Sequence, residues 1–138
     1  MNEVVVNKSI NVPAEKAWEA LSSFSGIENY SPIEKSVTTG IGSGATRTCY
    51  LPDGAAIFEE LNFANVDAME MQYKINKSPF PIQKYVSDIK VSPTGDNSCK
   101  VTWGCTFDSA EEVKSDMENL FGGFYNTIIG ELEGYLKN

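Results

Sequence analysis

The sequence has no histidine, and this absence excludes more chemistry than any other feature of its composition. Without an imidazole there is no Ser-His-Asp or Cys-His pair, no histidine general base and no histidine ligand for zinc or non-haem iron. Asp, Glu, Tyr, Lys and Cys remain, and each would need a desolvated site to bring its pKa to a useful value. We therefore expect no metal and no cofactor.

Positive charge and long hydrophobic runs are also scarce. Eleven Lys and Arg stand against nineteen Asp and Glu, a formal net charge of −8. Nucleic acid and anionic membrane surfaces are therefore poorly matched partners. No segment approaches the roughly 18 apolar residues that span a bilayer, and the start lacks the pattern of a signal peptide. We expect a cytoplasmic protein without stable membrane insertion, as a monomer or weak homodimer.

The cysteines form no pattern typical of a disulfide scaffold. Cys49, Cys99 and Cys105 are odd in number and include no C-x-x-C pair. Cys99 and Cys105 lie on one face of a single predicted strand, but six residues at about 3.3 Å each separate them by about 20 Å, so they cannot pair there. Buried, reduced thiols are the simplest interpretation.

The 138 residues predict one domain, made of a strand, a helix pair, six strands and a long helix. Residues 3–11 predict the first strand, and apolar residues at three- and four-residue spacing predict a helix from Pro13 to about Ser25. Period-two alternation then predicts antiparallel strands near 33–39, 45–51, 56–63, 69–76, 83–92 and 98–107. An apolar stripe predicts a last helix of about 25 residues, opened by a capping box at Ser109 and Glu112.

Four local motifs accompany this order of elements: V-P-A-E-K-A-W at 12–18, G-x-G-x-G at 40–44, P-F-P-I-Q-K-Y at 79–85 and V-T-W at 101–103. Together they resemble the START-like (SRPBCC, Bet v 1-like) superfamily of helix-grip proteins, and within it the polyketide cyclase/dehydrase branch. The resemblance covers residues 1–138. It implies an α+β helix-grip fold: a seven-stranded antiparallel sheet wrapped around a long C-terminal helix, two short helices after the first strand, and an apolar cavity between sheet and helix.

The resemblance and the strand alternation imply a set of inward side chains that would bind a ligand. Similarity to the plant abscisic-acid receptors of this superfamily places Ile33, Glu59 and Tyr85 inward, while alternation and helix position supply others. Lys35 and Arg47 are the nearest cations for an anionic head group. One stripe of the last helix carries Gly123, Gly130, Gly134 and Thr127. We interpret it as a solvent side that tolerates glycine; the alternative is a helix that bends to resize the cavity. The predicted ligand-binding residues are Ile33, Ile57, Glu59, Leu61, Tyr73, Ile75, Tyr85, Ser87, Trp103, Phe121, Tyr125 and Ile129.

The glycine-rich run GIGSGATR at 40–47 invites comparison with a phosphate-binding loop. Such a loop opens onto a helix N-terminus, and a Walker loop also needs G-K-[ST], whereas this run ends in A-T-R and enters a strand. We predict instead a tight hairpin at the cavity rim, with glycines at φ > 0. It would gate the cavity together with L-P-D-G at 51–54 and S-P-F-P at 78–81, which lie where the receptors carry their gate and latch.

Three classes of function remain open. A carrier or sensor of a small hydrophobic or amphipathic molecule needs only the cavity and its gates, and we expect this function first. A metal-free cyclase or dehydratase would use Glu59 as its acid–base group, with Tyr85 or Tyr125 positioning a carbonyl; apart from Glu59 there is no catalytic candidate. A protein-interaction module would use the outer sheet face or the helix stripe. Because an inward Glu59 is costly unless it is paired, hydrogen-bonded or protonated, it is either functional or at a wet mouth.

Overall fold

The segments with period-two alternation form strands, and the two amphipathic segments form helices. The structure is a computed structural model that describes residues 1–137. The strands are β1 (Asn2–Ile10), β2 (Lys35–Thr39), β3 (Thr46–Tyr50), β4 (Ala56–Asn65), β5 (Glu70–Lys77), β6 (Gln83–Gly95) and β7 (Ser98–Asp108). The helices are α1 (Ala14–Ser22), a single 3₁₀ turn (Ile27–Tyr30) and α2 (Glu111–Lys137).

The seven strands form one antiparallel sheet in the order β1-β7-β6-β5-β4-β3-β2. Every strand from β2 to β7 pairs with its neighbour in sequence, and β1 closes the far side by pairing with β7. With the long helix α2 packed against β1 and β7, this is the α+β helix-grip fold that the sequence predicts. Among residues 1–137, no helix is long and apolar enough to cross a bilayer.

Helix α1 is shorter than its apolar spacing predicts. The carbonyl of Pro13 accepts the first backbone bonds, from the N–H groups of Lys16 and Ala17 at 3.1 and 3.2 Å. The helix ends at Ser22 because Phe24 and Gly26 take positive φ angles of 59° and 76°, which a right-handed helix cannot continue through.

Helix α2 buries one face against the sheet and lacks the predicted capping box. The hydroxyl of Ser109 donates to the carbonyl of Ala110 at 3.1 Å and accepts from Asn2 Nδ2 at 2.8 Å, so it ties the helix entry to β1 instead of capping the first turn. The helix begins at Glu111. Its buried residues are Phe121, Tyr125, Ile128, Ile129 and Leu132.

Candidate ligand-binding cavity

A cavity of about 560 Å³ lies between α2 and the inner face of β4, β5 and β6. Its wall is mostly aliphatic and aromatic, with hydroxyl, amide and carboxylate groups at a few positions. Glu59 is only 8% exposed, whereas Leu120 is 41% exposed. Leu120 therefore lies at the mouth, and the carboxylate lies in the buried part of the wall, together with Tyr73 and Tyr85, which are both 3% exposed. The lining residues are Pro32, Leu51, Ile57, Glu59, Tyr73, Ile75, Phe80, Tyr85, Asn119, Leu120, Phe121, Gly123, Phe124 and Thr127.

The residues that the sequence predicts as ligand-binding fall into two groups. One group lines the cavity: Ile57, Glu59, Tyr73, Ile75, Tyr85 and Phe121. The other is buried without lining it: Ile33, Leu61, Ser87, Trp103, Tyr125 and Ile129. Trp103 shows the reason, since its ring stacks on Tyr125 of α2 with centroids 5.4 Å apart, so the helix itself fills the space in front of it.

The predicted ligand-binding residues include Phe121 of α2 but none of the loop residues and none of the other α2 residues in the wall. Leu51 and Phe80 belong to the L-P-D-G and S-P-F-P segments, and each contributes one apolar side chain to the cavity. Gly123 and Thr127 also line it, so their stripe faces the cavity mouth as well as solvent. A helical spacing of three and four residues from Leu120 through Thr127 is the signal that could have indicated this second face. The remaining omitted residues are Pro32, Asn119, Leu120 and Phe124.

The glycine-rich hairpin is a tight turn, as predicted, but it does not line the cavity. Gly40, Gly42 and Gly44 have φ angles of 88°, 75° and 90°. The N–H of Gly44 donates to the carbonyl of Leu61 at 2.8 Å, and the N–H of Leu61 donates to Ala45 at 2.8 Å. These bonds fix the hairpin against the middle of β4. The predicted position at the rim is therefore wrong for residues 40–47.

An ion pair includes the one carboxylate that the described residues contribute to the cavity wall. The register of β3 and β4 sets Arg47 opposite Glu59 on the inner face. Arg47 Nε donates to Glu59 Oε1 at 2.6 Å, and Cys49 Sγ donates to the same oxygen at 3.4 Å. The side chains of Arg47 and Glu59 are 5% and 9% exposed. We call Arg47, Cys49 and Glu59 the charged cluster; its geometry explains how an inward carboxylate is tolerated, because its charge is paired.

Aromatic rings hold Arg47 in place. The guanidinium carbon lies 4.1 Å from the ring centre of Phe24 and 5.3 Å from that of Tyr73. Burial alone would lower the pKa of Arg47, but the interactions with Glu59, Cys49 and Tyr73 together outweigh burial, and the net shift is upward. The left-handed backbone of Phe24 is costly for a bulky residue. Thr38 Oγ1 stabilises it by donating to the carbonyl of Phe24 at 2.6 Å.

A second group of buried polar side chains contains only neutral hydroxyls and an indole. Ser87 Oγ donates to the carbonyl of Gly104 at 2.8 Å and accepts from Trp103 Nε1 at 3.1 Å. Trp103 Nε1 is also 3.3 Å from the hydroxyl of Tyr73. The hydroxyls of Tyr85 and Tyr125 are hydrogen-bonded to each other. We call Tyr73, Tyr85, Ser87, Trp103 and Tyr125 the hydroxyl cluster.

Local backbone geometry directs Tyr85 inward. Lys84 has a φ angle of 54°, and the register of β6 with β7 shifts between Gln83 and Val86. A bulge of this kind changes the direction of a side chain without ending the strand. Burial raises the pKa values of Tyr73, Tyr85 and Tyr125, so these phenols remain protonated and act as hydrogen-bonding groups rather than as bases.

Metal-ligand geometry does not occur in the part of the chain that the structure describes. Among residues 1–137, no group of three or more Cys, Asp or Glu side chains is arranged to hold a metal ion. The chemistry available at the cavity is therefore that of one paired carboxylate, two phenols, an amide and a hydroxyl on an apolar wall.

Comparison with known families identifies the chain. The family model described as "Polyketide cyclase / dehydrase and lipid transport" matches residues 1–137. The chain belongs to this family. No curated protein sequence matches it.

Solved structures of similar fold include three bacterial proteins. The protein XoxI from Bacillus cereus is 28% identical with a TM-score of 0.89, covering 100% of this chain and 97% of its own. An uncharacterised protein from Bacillus thuringiensis is 27% identical with a TM-score of 0.87, covering 99% of each chain. The Zhui aromatase/cyclase from Streptomyces sp. R1128 is 11% identical with a TM-score of 0.84, covering 99% of this chain and 93% of its own; this likeness concerns the fold alone.

Proposed function

We propose that this member of the polyketide cyclase/dehydrase and lipid transport family binds a small hydrophobic or amphipathic molecule in the cavity between the sheet and α2, as a carrier or sensor. The observation that carries the proposal is the cavity itself. Its volume of about 560 Å³ and its mostly apolar wall with few polar groups are typical of small-molecule sites. Unfilled apolar space lowers stability, so a domain that only had to fold would gain by closing it.

Binding accounts for the cavity's polar groups better than acid–base catalysis does. Oε1 of Glu59 already accepts from Arg47 at 2.6 Å and from Cys49 at 3.4 Å, so this oxygen is engaged by donors of the protein itself. Burial raises the pKa of Tyr85, which keeps its phenol protonated. These groups can fix the polar end of a ligand, and a cyclase or dehydratase would need a further acid or base.

A protein-interaction module would be favoured by a filled core, and the cavity argues against it. The negative charge of the chain supports a ligand that is neither nucleic acid nor an anionic membrane surface. We propose a cytoplasmic protein that acts as a monomer or weak homodimer.

Cavity filling tests the proposal with an uncharged dye. A Cβ atom added at Gly123 would meet nothing within 4 Å, and Gly123 lines the cavity. Gly123→Leu should therefore place a side chain in the mouth without a clash. We expect the wild-type protein to bind Nile red with enhanced fluorescence and Gly123→Leu to bind it at least about tenfold more weakly.

Gly134→Leu is the matched control. It is also a helical glycine with nothing within 4 Å of an added Cβ, but it does not line the cavity. Both substitutions replace a helical glycine by a better helix former, a gain of less than about 1 kcal/mol in each, so a difference in dye binding would reflect the cavity and not the helix. Failure of the wild type to bind Nile red, or equal loss in both variants, would overturn the proposed function.

A further inference from the structure

One oxygen of the cavity's carboxylate has no hydrogen-bond donor from the protein. Oε1 of Glu59 accepts from Arg47 and Cys49, whereas Oε2 accepts from no group among residues 1–137. Within residues 1–137, Trp18 Nε1 is the only side-chain nitrogen or oxygen that is both fully enclosed and without a hydrogen-bond partner. Oε2 also has no partner, so it is not fully enclosed and retains accessible surface. Glu59 is only 8% exposed and lines the cavity, so the accessible surface of Oε2 faces the cavity.

The guanidinium that neutralises Glu59 is separate from the cavity. Arg47 is 4% exposed, is held over the rings of Phe24 and Tyr73, and does not line the cavity. Among the described residues, Glu59 is the only charged side chain in the wall. A ligand that enters from the mouth therefore meets a carboxylate oxygen in the buried part of the wall.

These charges discriminate between the polar ends that a ligand could carry. A carboxylate or phosphate end would be desolvated against Oε2 with no cation in the wall to receive it. An ammonium end would meet a carboxylate that Arg47 already neutralises, and would lose its hydration without a full counter-charge. A neutral hydroxyl loses little hydration and gains a hydrogen bond to a charged acceptor, which is stronger than a neutral one.

We propose that the cavity takes a neutral amphipathic molecule with its hydroxyl end innermost, donating to Oε2 of Glu59 while its aliphatic or aromatic body lies against Ile57, Ile75 and Phe121. This inference rests on the proposed function and specifies the ligand class of the same cavity. Arg47 and Cys49 act as positioning residues, because they hold Oε1 and leave Oε2 directed at the ligand.

Competition between matched probes tests this proposal. At pH 7, 2-naphthol, 2-naphthoate and 2-naphthylmethylammonium differ mainly in the charge of one end group, and each would displace Nile red. We expect 2-naphthol to bind at least about tenfold more tightly than 2-naphthoate, a difference of about 1.4 kcal/mol. Equal binding, or tighter binding of the anion or of the amine, would overturn the hydroxyl assignment while Nile red binding still supported the proposed function.

Glu59→Gln connects the preference to the carboxylate. The amide keeps the size of the side chain but leaves the charge of Arg47 uncompensated, so the preference should shift at least about tenfold toward 2-naphthoate. Glu60→Gln is the control, because Glu60 neighbours Glu59 in β4, does not line the cavity and accepts from Asn76 Nδ2 at 3.2 Å. An unchanged preference in Glu59→Gln that still binds Nile red would contradict the proposal. If Glu59→Gln does not fold, the wild-type preference remains the deciding measurement.

Discussion

The two buried polar clusters differ in whether the protein satisfies them by itself. In the hydroxyl cluster, Ser87 binds both Gly104 and Trp103, and Tyr85 pairs with Tyr125. In the charged cluster, Arg47 and Cys49 both use one oxygen of Glu59, and the other oxygen is left to the cavity. Both clusters are buried, so burial alone does not separate them.

Complete internal hydrogen bonding distinguishes a structural polar group from a candidate ligand contact. A polar group that serves the fold completes its hydrogen bonds within the chain, because an unmade bond costs about 1–3 kcal/mol when the group is buried. A spare acceptor on a cavity wall can complete its bonds with a ligand. We therefore assign the internal hydrogen bonds of the hydroxyl cluster to stability, and the charged cluster to both stability and recognition.

The largest effect should come from breaking the charged cluster on one side. Arg47→Met leaves the buried carboxylate of Glu59 without a counter-charge, which typically costs about 3–5 kcal/mol. We expect the free energy of unfolding in urea to fall by about that amount. The double variant Arg47→Met/Glu59→Leu should recover most of the loss, because it removes both charges together.

An exposed ion pair provides the control for this prediction. Lys90 Nζ and Glu70 Oε1 are 2.8 Å apart, with side chains 48% and 46% exposed. Lys90→Met should lower stability by no more than about 1 kcal/mol, because solvent screens the pair. If Arg47→Met/Glu59→Leu were as unstable as Arg47→Met, the loss of stability would come from altered packing and not from an unpaired charge.

The fold was predictable because alternation and turn signals act locally. Met71 and Tyr73 of β5, and Val101, Trp103 and Cys105 of β7, are buried as the period-two pattern requires. The pairing of Arg47 with Glu59 was also predictable. A short loop joins β3 and β4, and the register that pairs Tyr50 with Ala56 also places Arg47 opposite Glu59.

The cavity wall was less predictable because it depends on where α2 lies across the sheet. Alternation places Tyr73 and Trp103 inward alike, yet Tyr73 lines the cavity and Trp103 is covered by Tyr125. The helix packs mainly against β1 and β7 and reaches β6 at Tyr85, so the cavity is left over β4 and β5; tertiary packing decides this position. For the same reason the position of the glycine-rich hairpin, fixed by Leu61, did not follow from its turn chemistry.

Alkaline pH should lower the stability of the protein by deprotonating a buried thiol beside the hydroxyl cluster. Burial raises the pKa of Cys105, beside Tyr85 and Tyr125, from 9.0 to about 11. Because the folded pKa is the higher one, the associated stability is fully present below pH 9 and is lost as the pH rises toward 11. The wild-type free energy of unfolding should fall more steeply in that window than that of Cys105→Ala, by a total of about 2 kcal/mol.

Urea denaturation at half-unit steps from pH 7 to 11 checks this slope. Below pH 8 the difference between the two proteins should be constant, because the thiol is protonated in both the folded and the unfolded state. Equal slopes between pH 9 and 11 would mean that the thiol releases its proton as easily in the folded protein as in the unfolded chain.

The smallest effect should come from Tyr125→Phe, which removes one hydroxyl from the hydroxyl cluster. Tyr125 is 1% exposed and does not line the cavity, and its hydroxyl bonds that of Tyr85. Losing one neutral hydrogen bond should lower the free energy of unfolding by about 1 kcal/mol. The preference for 2-naphthol over 2-naphthoate should stay within about twofold of wild type, because no group next to Glu59 Oε2 changes.

Tyr85→Phe breaks the same hydrogen bond from the other side and is the matched variant. Because the same hydrogen bond is lost, Tyr85→Phe should lower stability as much as Tyr125→Phe does. Its affinity for Nile red can change as well, because Tyr85 lines the cavity. If Tyr125→Phe shifted the naphthol preference as strongly as Glu59→Gln, the two clusters would act as one coupled network, and the division between structural and ligand-facing polar groups would be wrong.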